Sequence, residues 1–184
     1  MESQPAGRLA HDHAELDKLL TELQEALNGG DLEASHAKLD LFWARLAVHI
    51  RAEHLHLFPW VMSRVGERVD RDVEPSLSEA QSTIERLRAD HDFFMHELAR
   101  TIGILRECAK DADSVAHKLK AVRDAISEIA KRLIVHNEIE ENAIYLRATT
   151  LFDQEEQREL LTRIEAELAH YPSRFTLDTW SVRT

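Results

Sequence analysis

Apolar residues recur along this chain at intervals of three and four positions, and few glycines or prolines interrupt them. This spacing places apolar side chains on one face of an α-helix, whereas a half-buried strand alternates every second residue. The apolar runs are separated by turn-forming or capping residues at 28–30, 67–75, 110–114 and 153–156. The pattern therefore predicts an all-α chain of five helices.

Capping residues indicate where three of these helices begin. Asp31 is a predicted N-cap of the second helix, and residues 76–79 have the spacing of a capping box that opens the third. Residues 153–156 have the composition of another helix start, and residues 173–184 are predicted to be irregular. We expect residues 1–150 to form an up-down-up-down four-helix bundle, with a C-terminal helix and tail, residues 151–184, packed on it.

Two histidine–glutamate pairs lie within the apolar faces of the second and fourth predicted helices. His49 precedes Glu53 by four residues, and His136 precedes Glu140 by the same interval, so each pair shares one helix face. Imidazole nitrogens and carboxylate oxygens are common ligands of metal ions in proteins.

The first and third predicted helices each add one histidine, His13 and His91, on the apolar side. With a rise of about 1.5 Å per residue, the six residues differ in height by no more than about one helical turn in an antiparallel bundle. They would then converge on one layer of the core.

Burial of two facing carboxylates is unfavourable unless cations compensate their charge. Two alternatives avoid a metal: Glu53 and Glu140 could reach solvent at the edge of the apolar face, or each could pair with the histidine of its own helix. The repetition of the pattern in both halves favours a metal site. Iron, manganese, zinc and copper all suit these ligands, and two bridging carboxylates favour a dinuclear centre.

The two motifs stand in the runs HIRAEHLHLFP, residues 49–59, and HNEIEENAIYL, residues 136–146. Over about residues 8–150 the chain resembles the hemerythrin-like, or HHE cation-binding, domains. In that family each half supplies a histidine on one helix and His-x-x-x-Glu on the next. The resemblance implies a non-haem di-iron centre with carboxylate and oxo or hydroxo bridges, although zinc or manganese remains open. Its implied ligands are His13, His49, Glu53, His91, His136 and Glu140.

The chain departs from the oxygen-carrying hemerythrins at two points. The carriers have His-x-x-x-His on the third helix, where this chain has Met95, and His96 lies about 100° further round the helix. The carriers have His-x-x-x-x-Asp on the last helix, and this spacing would select Glu141 as the bridging carboxylate. The spacing of His49 and Glu53 in the first half instead selects Glu140. Counting ligands leaves about two open positions, one of which Tyr145 could fill. These departures argue against a dedicated oxygen carrier.

Composition narrows the partners and the compartment. A net charge of −11 disfavours nucleic acid and anionic membranes as partners. The first residues lack the apolar run of a signal peptide, and Cys108 has no second cysteine with which to form an intrachain disulfide. We therefore expect a cytoplasmic protein.

Three functions fit these observations. The leading hypothesis is a di-iron protein that binds or senses dioxygen, peroxide or nitric oxide. The second is a di-iron enzyme with catalase-like or peroxidase-like turnover. The third is a metal-stabilised iron-handling or interaction module, whose fifth helix could also form a homodimer.

The remaining histidines are interpreted without a metal-binding role. His11 lies on a different face from His13, and at least one of His54 and His56 is expected in solvent or beside the site. Surface positions are predicted for three others: His36, His117 and His170.

Overall fold

The computed structural model describes residues 4–67, 76–108 and 115–172, and all the regular structure in these ranges is helical. The prediction of an all-helical chain is therefore confirmed for the described residues. The predicted connections at 67–75 and 110–114 and the predicted tail at 173–184 lie outside these ranges, apart from Glu67. The helices are α1 (Pro5–Gly29), α2 (Leu32–Ala52, a π-helical turn Glu53–Leu57, and Phe58–Glu67), α3 (Leu77–Cys108), α4 (Val115–Ile139, a π-helical turn Glu140–Tyr145, and Leu146–Leu151) and α5 (Gln154–Leu168).

The predicted capping interactions are present. The Asp31 carboxylate accepts a hydrogen bond at 2.9 Å from the backbone N–H three residues later. Ser76 and Glu79 form the reciprocal capping box of α3, and Asp153 forms another at the start of α5. Helix α1 ends at Gly30, whose φ of 73° lies in the left-handed region that glycine adopts without a steric penalty.

Helices α1 to α4 surround one hydrophobic core. Each contacts the next, and α4 returns to contact α1. Fully buried leucines and phenylalanines from three of the helices, among them Leu23, Phe42 and Leu98, meet in this core, which Ile126 and Ile129 of α4 complete. Burial of such side chains contributes about 1.5–3 kcal/mol each, which favours this arrangement.

Helix α5 packs against α1, α2 and the π-helical turn of α2. Its apolar face consists of Leu160, Ile164 and Leu168, all of which are buried in a second hydrophobic cluster. The side chain of Glu167 forms an ion pair with Arg51 of α2. The fifth helix is thus joined to the bundle next to Glu53.

Among the described residues, no helix combines the length and the apolar composition needed to cross a bilayer.

Candidate metal centre

Four histidines point their Nε2 atoms at one another in the core. The Nε2 atoms of His13 and His49 are 3.1 Å apart, and those of His91 and His136 are 2.9 Å apart. Each pair joins two neighbouring helices, α1 with α2 and α3 with α4. The structure therefore brings together the four histidines that the sequence singled out.

Glu53 lies between the two histidine pairs. Its Oε1 is 3.5 Å from Nε2 of His49, and its Oε2 is 3.4 Å from Nε2 of His91. Oε1 also accepts a hydrogen bond of 2.6 Å from the hydroxyl of Tyr145, whereas Oε2 is buried and has no hydrogen-bond partner. The carboxylate thus spans both halves of the cluster with one oxygen unsatisfied.

Glu140 spans the cluster in the same manner. Its Oε2 is 3.3 Å from Nε2 of His13, and its Oε1 is 3.0 Å from Nε2 of His136. Oε1 is buried and makes no hydrogen bond of acceptable geometry. The neighbouring Glu141, in contrast, is 47% exposed and contacts Nδ1 of His13 from outside, at 2.9 Å. Of the two carboxylates that the sequence left open, Glu140 enters the cluster.

Burial decides between the alternatives to a metal. Glu53 and Glu140 are both 0% exposed, so the idea that they reach solvent is wrong. Pairing within each helix does occur, but it leaves one oxygen of each carboxylate without a hydrogen bond. A buried unpaired carboxylate oxygen is costly, and a cation would remove that cost.

The buried charges of the cluster shift the pKa values of His49 and Glu140. Burial alone would lower the pKa of His49, but the charge of Glu53 and the hydrogen bond to Asp12 raise it to about 10. Burial would likewise raise the pKa of Glu140, yet the surrounding histidines hold it well below its usual value. In the absence of metal, a proton on His49 therefore compensates part of the buried negative charge.

Each half of the cluster has an aspartate and an arginine behind one histidine. Asp12 accepts from Nδ1 of His49 at 3.0 Å and is held by Arg45 at 2.8 Å. In the other half, Asp90 accepts from Nδ1 of His136 at 3.4 Å. Arg132, four residues before that histidine, donates to Asp90. A carboxylate on Nδ1 fixes the tautomer that leaves Nε2 free to bind a metal.

These aspartates were not predicted from the sequence, although a signal was present. The doublet Asp-His occurs on α1 and again on α3, and Arg-x-x-x-His-x-x-x-Glu occurs on α2 and again on α4. The repetition of both motifs together indicates a repeated set of supporting contacts as well as a repeated set of ligands.

Two π-helical turns begin at the two buried glutamates. In each turn the backbone N–H bonds to the carbonyl five residues before it. Residues five apart would lie about 140° apart on a regular α-helix, but here they stack. The turns thereby place Phe58 against the ring of His91 and Tyr145 against the ring of His13.

Tyr145 is thus the one aromatic side chain that adds an oxygen to the cluster among the described residues. Its hydroxyl is 2.6 Å from Glu53 and 3.1 Å from Nε2 of His13. The residue at the matching position of the other half, Phe58, has no polar atom to offer. The sequence named Tyr145 only as a side chain that could fill an open position.

Other histidines and Met95 lie outside the cluster. Met95 packs against the hydrophobic core, and the exposed His96 donates from Nδ1 to the carbonyl of Asp92 at 2.7 Å.

His54, by contrast, places Nε2 2.8 Å from Nδ1 of His91, so it supports the cluster from outside. His56 lies 3.8 Å from a carboxylate oxygen of α5. Three further histidines are exposed: His11, His117 and His170. His36 is only partly buried.

The donor set fits a metal centre. One group of donors comprises His13, His49, Glu53 and Glu140, and a second comprises His91, His136 and Glu140, with the atoms of each group within 4.8 Å of one another. Imidazole and carboxylate donors in this ratio suit divalent first-row transition metals. Glu140 is the one residue that belongs to both groups.

Comparison of the chain with protein-family models, with curated protein sequences and with solved structures finds no match.

Proposed function

We propose that this chain is a hemerythrin-like non-haem di-iron protein that binds or senses dioxygen, peroxide or nitric oxide. The proposal includes the up-down-up-down bundle of that family, which the closed ring of contacts among α1 to α4 supports. The ligands that we propose are His13, His49, Glu53, His91, His136 and Glu140.

The observation that carries the proposal is the pair of buried glutamates. Each reaches one histidine from each half of the bundle, and each keeps an oxygen without a hydrogen bond. A carboxylate that reaches both histidine pairs would be able to bridge two metal ions. A purely structural ion pair would instead be expected to satisfy both oxygens.

Iron, when bound, would supply one-electron redox chemistry and open positions for a small ligand. The residues of the chain orient the donors and exclude water. Asp12 and Asp90 hold the tautomers of two histidines, and the packed rings of Phe58 and Phe94 shield the second pair from solvent. The burial of all six proposed ligands favours a small ligand over a large substrate.

A second candidate function, peroxide turnover, is favoured by Tyr145. Its hydroxyl points into the cluster and could hold or donate a proton beside a bound peroxide, which a simple carrier does not need. Burial and the neighbouring glutamates raise the pKa of Tyr145 well above its usual value, so the hydroxyl keeps its proton.

Metal analysis and absorption spectroscopy test the proposal. Protein purified aerobically should contain about two irons per chain and show near-ultraviolet bands. Dithionite should bleach these bands, and dioxygen or peroxide should restore them. Release of dioxygen from added peroxide, lost in Tyr145→Phe, would favour the enzyme over the sensor.

Matched variants separate the centre from the rest of the protein. Glu53→Ala should abolish binding of the second metal, whereas Glu138→Ala should retain two metals because Glu138 is exposed and belongs to neither group of donors. Zinc in place of iron, or no metal with an unchanged fold, would overturn the redox proposal. Zinc would instead favour a metal-stabilised interaction module, and a chain that folds without metal would favour a structural or partner-binding module.

A further inference from the structure

The two halves of the cluster are alike in their ligands but differ in the groups behind them. We call the pair His13 and His49 the first position, and the pair His91 and His136 the second position. At the first position both Nδ1 atoms face carboxylates, since Asp12 supports His49 at 3.0 Å and Glu141 supports the other histidine at 2.9 Å.

The second position has weaker support. Asp90 is 3.4 Å from Nδ1 of His136, and the remaining histidine, His91, has an imidazole behind it instead of a carboxylate. That imidazole belongs to His54, which follows Glu53 just as Glu141 follows Glu140. The residue that follows the buried glutamate is therefore a carboxylate, Glu141, in one half and an imidazole, His54, in the other.

The supporting group changes how strongly a histidine binds a metal. A carboxylate that accepts from Nδ1 raises the basicity of Nε2, and loss of such a partner typically lowers metal affinity by about 10–100-fold. A neutral imidazole accepts the same hydrogen bond without adding negative charge. The first position also has the oxygen of Tyr145 nearby, whereas the second has the ring of Phe58.

We infer that the two metal positions are inequivalent: the position of His13 and His49 binds its ion first and more tightly, and Glu141 and His54 set the difference. This inference rests on the proposed metal centre. Both residues act through a histidine, so they are positioning residues. The second position is then the one at which metal exchange begins.

Titration of the metal-free protein with Co²⁺, followed by visible absorption and calorimetry, tests the inference without any redox activity. Wild-type protein should bind two ions in separate steps whose constants differ by about tenfold or more. Glu141→Gln should lower the first constant and draw the two steps together. His54→Glu should also draw them together, but by raising the second constant.

His54→Gln is the matched control, because it removes the imidazole without adding charge and should leave the first step unchanged. Melting of the metal-free variants should stay close to wild type, since Glu141 is half exposed and His54 is only partly buried. The cobalt spectrum of the first step should change in Glu141→Gln and not in His54→Gln.

The outcomes distinguish the inference from the proposal beneath it. Two ions that bind with one constant in wild type, or equal weakening of both steps by Glu141→Gln, would overturn the inequivalence while keeping the metal centre. Failure to bind Co²⁺, Zn²⁺ or Fe²⁺ at all would overturn the metal centre itself.

Discussion

Replacement of Tyr145 by phenylalanine removes one oxygen from the buried cluster and leaves its ring in place. In the metal-free protein this deletes the 2.6 Å hydrogen bond to Oε1 of Glu53. A hydrogen bond to a charged group contributes about 1.5–3 kcal/mol to the free energy of unfolding. For a chain of this length the melting temperature should then fall by about 3–12 °C.

Metal should reduce that loss. When both oxygens of Glu53 bind cations, the carboxylate no longer depends on the hydroxyl for compensation. We therefore expect Tyr145→Phe to destabilise the loaded protein by less than half as much, at a fixed concentration of free metal. Thermal and urea unfolding, followed by circular dichroism with and without metal, measure the two values.

Tyr171→Phe is the control, because Tyr171 is the other tyrosine of the chain and, although it lies near Arg45 and Asp12, it belongs to neither group of donors. It should change neither measurement by more than about 0.5 kcal/mol. Equal destabilisation of the metal-free and loaded forms by Tyr145→Phe would refute the reasoning, since it would mean that metal does not compensate Glu53.

Three further predictions concern pH, the supporting aspartate and the fifth helix. In the folded metal-free protein the pKa of His49 is raised from 6.5 to about 10, so protonation of this imidazole stabilises the fold. The contribution is complete below pH 6.5 and is lost as pH rises towards 10. Metal must displace the proton of His49, so the affinity for metal should rise with pH. Calorimetry in buffers of different ionisation enthalpy should detect the released proton. If no proton is released, His49 is not a metal ligand. Asp12→Asn should weaken metal binding by about 10–100-fold, whereas Glu15→Gln, which removes another contact of the same arginine, should not. Ile164→Ala should lower the free energy of unfolding by about 2–5 kcal/mol in urea while metal stoichiometry stays unchanged; a lost metal would show that α5 holds the centre in shape.

Regular helical periodicity was sufficient to predict much of the architecture. The five helices and the common level of His13 and His91 follow from residues spaced by 3.6 per turn, and the caps at Asp31 and Asp153 follow from side chains that accept hydrogen bonds from backbone N–H groups. Each of these features depends on local sequence and on distance along a helix.

Features that depend on contact between helices were harder to predict. Asp12 adjoins His13 and points about 100° away from it, a direction that suggests solvent. It is buried because Arg45 of α2 neutralises it and His49 of α2 binds it, and Arg8 on its own helix adds a longer ion pair at 3.8 Å. The same reasoning applies to Asp90 of α3.

The position of Tyr145 was missed for a different reason. A constant period of 3.6 residues places it far from Glu140 on the helix surface, and only the π-helical turn brings it over the cluster. Neither turn contains glycine or proline to mark it in the sequence.

The two π-helical turns give α2 and α4 one place each where their length can change. Deletion of the exposed Leu55 would leave Phe58 four residues after Glu53, and an ordinary α-helical turn places such residues about 40° apart, on the same face. Val61 and Val65, which are now buried, would then keep their places in the core. A one-residue deletion elsewhere in either helix would instead rotate every following residue by about 100°, so we expect it to be far more damaging than a deletion within a π-helical turn.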